Sequence, residues 1–461
     1  MADQIIELAA GELTAAYRAR TLSPVEVTEA YLDRIAAADS DLRAFITVTD
    51  DLAREQARAS EARYAAGAPI GPLDGVPTSV KDAFYLSGVR TTLGSKVYEG
   101  QVAKADSGVV RRLRAAGAVF TGKTNTAEFG QSATSENMLG PDTVNPWDVS
   151  RTPGGSSGGA AASVAARLST VGVGSDGGGS IRIPAAFCGV YGLKPSPGLC
   201  PDEKGFRGMT DFVSAGPMTN KVTDARVVLG VLADREYTRN QLSRLRVGYC
   251  PRPEGRAVDP GVVRGVAAVA VALGEQGHDI IETDLPLDGW NEIFGPLVLE
   301  DEHRERGHLL ADHADQLSRY ERSSLRAALA LDPADVERAR VQLPVYRRRI
   351  AALFEEFDVL LTPSTAIPAF PLGERPAQID GADVDALWGA FPFAVPFNVA
   401  GASAASVPCG LSDGLPIGAQ LVTPAGAEEL LLDLSEDVEI AVGFDGSAVT
   451  RRWTPQPAAA L

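Results

Sequence analysis

Two runs of glycine and serine carry the strongest chemical signal in this 461-residue sequence. The first is Gly154-Gly155-Ser156-Ser157-Gly158-Gly159, followed by the helix-forming AAASVAA. Its serines fall where a helix should begin, and unpaired backbone N–H groups point outward at such a place. The second is Gly174-Ser175-Asp176-Gly177-Gly178-Gly179-Ser180. Three successive glycines let consecutive N–H groups turn towards one point, an anion-receiving nest. Ser180 at its end would stand beside a ready oxyanion hole. Taken alone, both runs are equally compatible with plain flexible loops. A serine hydroxyl is a weak nucleophile and needs a base. None of the four histidines (His278, His303, His308, His313) sits in a loop rich in serine and glycine, so a lysine is the next candidate. Lys81 lies in the strand-like, mostly apolar GVPTSVKD of residues 75–82. It either faces solvent, the usual case, or is buried. Burial would disfavour its charged form and make the neutral amine accessible near neutral pH.

Several pattern matches fail on context. Gly117 through Thr124 fits GxxxxGK[ST], but a helical stretch precedes Gly117 and the apolar strand lies between the glycines, so Gly117 reads as a helix C-cap instead. Gly172 through Gly177 fits GxGxxG, yet Gly178, Gly179 and Pro184 follow where a phosphate-binding helix should open. Gly154 through Gly158 fits GxSxG, the nucleophile elbow. The helix after it is plausible, but the loop-like Asn145-Pro146-Trp147 to Thr152-Pro153 replaces the required strand. His303, His308 and His313 are five apart, about 140° on a helix, so they share no face. No HExxH is present, and a solvated charged helix is the simpler reading than a zinc site.

The elements that must position these groups alternate. Ser23-Pro24-Val25-Glu26 is a capping box with proline at the first helical position, and Val27, Tyr31 and Ile35 follow as one apolar stripe. A second helical stretch covers 49–66. Between 70 and 215, short apolar runs (118–120, 171–173, 190–193) alternate with helical patches at 107–116 and 158–168. Residues 246–249 and 358–361 read as strands, 259–276 as an amphipathic helix, and 295–357 as largely helical and highly charged. That alternation predicts an α/β layered fold. With no repeat and no low-complexity linker, it reads as one large domain over 1–461. That domain comprises a helical segment at 1–68, a core at 69–215 and an α/β part at 240–461.

Composition removes other classes. Forty-three Lys and Arg against 60 Asp and Glu give a net charge of −17, a poor basis for binding nucleic acid or an anionic membrane. The four cysteines (Cys188, Cys200, Cys250, Cys409) include no CxxC pair, as expected of reduced, buried thiols in a cytoplasmic protein. They also lack zinc-site spacing. The N-terminus carries no signal-peptide pattern. Residues 386–412 are uncharged, but their prolines, glycines and serines predict a buried strand-and-loop region rather than a membrane span.

At this point the residues resemble a known family. GGSSGG (154–159), a spacing of 24 residues from Ser156 to Ser180, and GSDGGGSIRIPAAFCGVYGLKPS (174–196) resemble the amidase signature family. LDGVPTSVKDAF (73–84), GKTNTAEFG (122–130), LLTPSTAIPAFPLG (360–373) and PFNVAGASAASVPCGL (396–411) extend the likeness over nearly the whole chain. The resemblance implies a single α/β/α domain around a large, mostly parallel mixed sheet. It implies Ser180 as nucleophile, Lys81 as base, and Ser156, preceded by a cis peptide bond, as the relay between them. It assigns the oxyanion hole to the backbone N–H groups of Gly177, Gly178, Gly179 and Ser180. Asp176 and Arg182 would brace the loop, and Ser132 and Gly130 would form a wall of the site. Ser175 stands where threonine is commoner; it keeps the hydroxyl.

The family cleaves C–N bonds in many small molecules without a metal or other cofactor, and the substrate is not fixed by these motifs. The stretches 131–139, 200–212, 295–350 and 388–398 are the expected seat of specificity. Met138, Phe206, Met209, Trp388, Phe391 and Phe393 would line a pocket for an apolar or aromatic amide, although each taken singly is more ordinary as core. Three readings follow. The first is a stand-alone amidase acting on a small-molecule amide, with a homodimer compatible. The second is a urethanase-like or aryl acylamidase-like enzyme acting on a carbamate, anilide or ester. The third is the glutaminase subunit of a tRNA-dependent amidotransferase.

Overall fold

The computed structural model describes residues 2–201 and 208–453. Thirteen strands are present among them: β1 (Phe45–Val48), β2 (Pro77–Lys81), β3 (Val119–Thr124), β4 (Val171–Asp176), β5 (Tyr191–Lys194), β6 (Ser214–Thr219), β7 (Arg246–Tyr249), β8 (Asp279–Glu282), β9 (Val359–Pro363), β10 (Gln378–Ile379), β11 (Ala382–Asp383), β12 (Ser403–Ser412) and β13 (Leu415–Thr423). Eleven form one mixed sheet in the order β1-β3-β2-β4-β6-β5-β12-β13-β9-β7-β8, and β10 and β11 pair separately. The blocks β3-β2-β4 and β9-β7-β8 are parallel, and an antiparallel centre joins them.

Side chains alternate across the sheet with the period of two that strands impose. Leu361, Ala405, Ala419 and Leu421 join one buried cluster, with the helices Gly108–Ala115, Val222–Ala233, Pro260–Glu275 and Glu428–Val442. Their neighbours Leu360, Ala404 and Val422 join another, with the helices Asn291–Arg306, Pro333–Glu356 and Val395–Ala400. The chain is thus a single α/β domain with helices on both faces.

Local sequence accounts for most element ends. Ser23 Oγ accepts from Glu26 N–H at 3.1 Å at the start of the helix Pro24–Leu42, where Pro24 needs no N–H partner. The segment expected as wholly helical up to residue 68 is interrupted by β1, whose Phe-Ile-Thr-Val suits an edge strand antiparallel to β3. The P-loop look-alike is a strand: Gly122 and Lys123 lie inside β3, and Lys123 Nζ meets the buried Asp82 carboxylate at 2.8 Å. The uncharged segment 386–412 becomes the short helix Val395–Ala400 and strand β12, and no described helix is long and apolar enough to cross a membrane.

Candidate active site

The site forms where the adjacent parallel strands β2 and β4 end, the place where open α/β sheets leave a crevice. Val80 and Lys81 point to opposite faces. Val80 enters the core, and Lys81 turns towards the N-terminus of the helix Gly158–Ala165. Its side chain is fully buried. Lys81 Nζ donates to Ser156 Oγ at 2.6 Å, Ser157 Oγ at 3.0 Å and Ser175 Oγ at 3.1 Å. Three hydroxyls, two from the first glycine–serine loop and one from the end of β4, therefore converge on one amine. The Gly155–Ser156 peptide bond is cis. Ser157, which the sequence did not single out, ties the two loops together. Its N–H donates to Ser180 O at 3.2 Å, and its hydroxyl donates to Ser175 O at 3.2 Å. Among the described hydrogen bonds, none joins the Ser156 and Ser180 hydroxyls directly. Ser180 is 9% exposed, so its hydroxyl lies near the surface of the crevice.

The loop of Gly177 to Ser180 is held by a buried polar network. Gly179 has φ +111°, a conformation that side-chain-bearing residues rarely adopt, and a Cβ there would fall 2.7 Å from Ala394. Asp176 Oδ1 accepts from Gly179 N–H at 2.7 Å and Oδ2 from Ile181 N–H at 3.2 Å. Arg182 Nε and Nη2 each meet this carboxylate at 2.9 Å. Burial alone would push the Asp176 carboxyl up; the Arg182 guanidinium overrides it and holds it well below the usual carboxylate range. Arg182 in turn donates to Asn398 Oδ1 and Gln420 Oε1, both at 2.6 Å, and Asn398 Nδ2 returns to Asp176 Oδ1 at 2.9 Å. Asn398 and Gln420 were not identified from sequence. The available signal was a lone amide side chain in each of two otherwise apolar runs.

This network corrects one expectation. Gly179 N–H is committed to Asp176, so it is not free to receive an anion. The amides of Gly177, Gly178 and Ser180 donate to no described partner.

A cavity of about 350 Å³ adjoins this loop. Met209 and Phe294 line it, and a Cβ on Gly177 or Gly178 would lie 2.5 Å from Met209 Sδ or 3.1 Å from Phe294 Cζ. Trp388 also lines it, edge-on to Phe294 with ring centroids 5.8 Å apart. Of the pocket residues expected from sequence, Met209 and Trp388 are therefore on the wall. Met138 is not: it is 39% exposed on a loop, and its neighbours Asn137 and Leu139 line a separate cavity. Phe391 and Phe393 are buried core instead. Phe391 packs on Phe187 and Phe370, and Phe393 joins a different buried apolar cluster. Phe206 lies outside the described residues.

Ser132 belongs to a loop braced against the first glycine–serine run. A Cβ on Gly155 would strike Thr134 O at 2.4 Å, and Ser135 Oγ donates to Gly154 O at 2.8 Å. Ser132 Oγ accepts from Arg375 Nη2 at 3.0 Å. Gly130 turns the chain at φ +71°, after which Gln131 reaches the cavity wall. The four cysteines are buried and form no disulfide.

Comparison with known proteins places this geometry. The family model described as Amidase matches residues 26–432, and the chain belongs to the amidase signature family. It is 36% identical to a glutamyl-tRNA(Gln) amidotransferase subunit of Acidothermus cellulolyticus, over 99% of this chain and 98% of that protein. A crystal structure of an amidase superposes with a TM-score of 0.89 at 30% identity, over 95% of this chain and 100% of that one. A bacterial aryl acylamidase of the same family superposes with a TM-score of 0.87 at 28% identity, over 98% and 99%.

Proposed function

We propose that this chain hydrolyses the C–N bond of small amides with an apolar or aromatic body, through an acyl-enzyme on Ser180. The observation that carries the reading is the buried Lys81 amine at 2.6 Å from Ser156 Oγ, beside the loop that ends in Ser180. In this mechanism Ser180 Oγ attacks the carbonyl carbon. Its proton passes to Ser156 as the Ser156 proton passes to Lys81 Nζ. The amides of Gly177, Gly178 and Ser180 receive the charge that develops on the carbonyl oxygen. The proton then returns along the same path to the leaving amine as the C–N bond breaks. Water repeats the cycle on the ester and releases the acid. The Ser156 and Ser180 hydroxyls close up on substrate, as catalytic hydrogen bonds commonly tighten only in the complex.

The substrate class is supported by the cavity wall. Phe294, Val298, Leu299, Leu387 and Trp388 give it a large apolar surface, and among the described residues no lysine, arginine or histidine lines it. A substrate with a carboxylate would meet no described cation there. The same wall and the same steps accommodate anilides and carbamates, and the likeness to an aryl acylamidase supports that extension.

A second reading is favoured by a different observation. The 36% identity to the Acidothermus amidotransferase subunit spans nearly all of both proteins, and it supports a glutaminase that delivers ammonia within a complex.

Mass-spectrometric peptide mapping after fluorophosphonate treatment tests the mechanism. A single adduct on Ser180 is expected, and an adduct on Ser156 would overturn the assignment. Ammonia release from glutamine and benzamide, with aniline release from acetanilide, separates the readings. Turnover of glutamine alone would replace the first by the second.

A further inference from the structure

The cavity has an apolar run that ends on a carboxyl group. The helix Asn291–Arg306 sets Phe294, Val298 and Glu302 four residues apart, so they share one face at steps of about 6 Å and span about 12 Å. All three line the cavity. Phe294 marks the end near Gly178, and Glu302 marks the other. Glu302 is 1% exposed overall, and its carboxyl is held in place. Ser324 Oγ donates to its Oε2 at 2.6 Å. With its side-chain amide oriented to suit both neighbours, Gln131 donates to Oε1 at 2.7 Å and accepts from Arg306 Nη2 at 3.0 Å.

The charge around it does not balance. Arg306 is 3.9 Å from Glu302 but bonds Glu321 through Nε at 3.0 Å, and the other oxygen of Glu321 is buried with no partner. One guanidinium thus serves two buried carboxyls. Asp301 adds a further negative charge, paired with Arg304. Burial pushes both glutamate carboxyls up against the pull of Arg306, Glu321 to about 7. Tyr320 also lines the cavity and brings no cation. Arg375, whose charge is felt at Tyr320, does not line it and hydrogen-bonds Ser132 and Thr134 instead.

We propose that Glu302 selects amides whose far end carries a protonated amine, set about two helical turns from the glycine loop by an apolar chain or ring. The ammonium would donate to the remaining lone pairs of Glu302 and add to the positive charge that, among the described residues facing these two glutamates, Arg306 supplies. The proposal rests on the amide-hydrolase reading above and narrows its substrate class.

The test uses the full chain and two pairs of amides matched in length. One pair is 8-aminooctanamide and nonanamide; the other is N-(8-aminooctyl)acetamide and N-nonylacetamide. The pairs place the ammonium on the acyl and the amine side in turn. The readout is the ratio of kcat/KM within each pair, in which any general loss of activity cancels. In the wild type one ammonium substrate should be preferred by about tenfold or more, since a hydrogen bond to a charged group contributes about 1.5–3 kcal/mol. Glu302→Gln should bring that ratio to about one or below. Glu302→Asp, which keeps the charge but withdraws it, should move the optimum to a chain one methylene longer and serves if Glu302→Gln does not fold. A wild-type ratio near one in both pairs, or a preference that survives Glu302→Gln, overturns the proposal. Failure to cleave any of the four by an enzyme whose Ser180 still reacts with the fluorophosphonate overturns the amide-hydrolase reading instead, and the proposal with it.

Discussion

Lys81 and the three hydroxyls around it illustrate how a residue's chemistry depends on partners far away in sequence. The amine ends a strand at position 81, while Ser156 and Ser157 come from a loop and Ser175 from strand β4, 75 to 94 residues later. Replacing Lys81 by alanine removes the proton acceptor and leaves the loops, so kcat/KM on any amide substrate should fall by about 10²–10⁴, the usual contribution of a general base. Fluorophosphonate labelling of Ser180 should slow in parallel. Unchanged labelling with lost turnover would instead place Lys81 in a later step. The types and spacing of these residues were readable in the chain. Ser157 and the committed amide of Gly179 were not, because a backbone N–H has no signature in sequence and its partner is known only once the loop is folded.

At the scale of the element, the loop from Gly177 to Ser180 owes its shape to groups on three separate segments: the turn into the helix Arg182–Cys188, the helix Val395–Ala400 and strand β13. Asn398 both accepts from Arg182 and donates to Asp176. Asn398→Ala should lower kcat on any amide substrate about 10- to 100-fold with little change in KM, because it loosens the loop that meets the transition state rather than the cavity. It should also lose about 1–3 kcal/mol of stability in a denaturant titration, since Asp176 and Arg182 keep their charges in a buried setting with fewer partners. A rise in KM with kcat intact would argue against the positioning role. Element types were largely legible here. The strands at 118–120, 171–173, 190–193, 246–249 and 358–361 and the helix at 259–276 follow from apolar period and capping residues. Strand β1 was hidden because four residues at a sheet edge are decided by their neighbour β3 rather than by their own pattern. Phe391 and Phe393 were hidden for a related reason: an uncharged run says that side chains are buried but not against what.

Across the whole molecule, the N-terminal helices are fastened to the core through a buried carboxyl. Asp224 Oδ1 accepts from Ala10 N–H at 2.8 Å, and burial pushes its carboxyl up to about 7, with the Ala10 hydrogen bond opposing and Glu439 and Glu12 adding to the rise. The folded state therefore binds this proton more tightly than the unfolded chain. Its contribution to stability is complete below about pH 4 and is lost as pH rises through about 7, at up to about 1.4 kcal/mol per pH unit. Unfolding free energies measured at pH 5 and pH 8 should fall further in the wild type than in Asp224→Asn, and equal falls would refute the linkage. Read alone, the sequence determined the α/β class, the order of the motifs and the candidate catalytic residues, because apolar period, turn chemistry and side-chain type are local properties. The tertiary structure decided which amides of the glycine loop are already hydrogen-bonded, which aromatic rings face the cavity, and which two buried carboxyls share one guanidinium. Those depend on the directions and distances of groups hundreds of residues apart, which only the assembled sheet and its two helical layers fix.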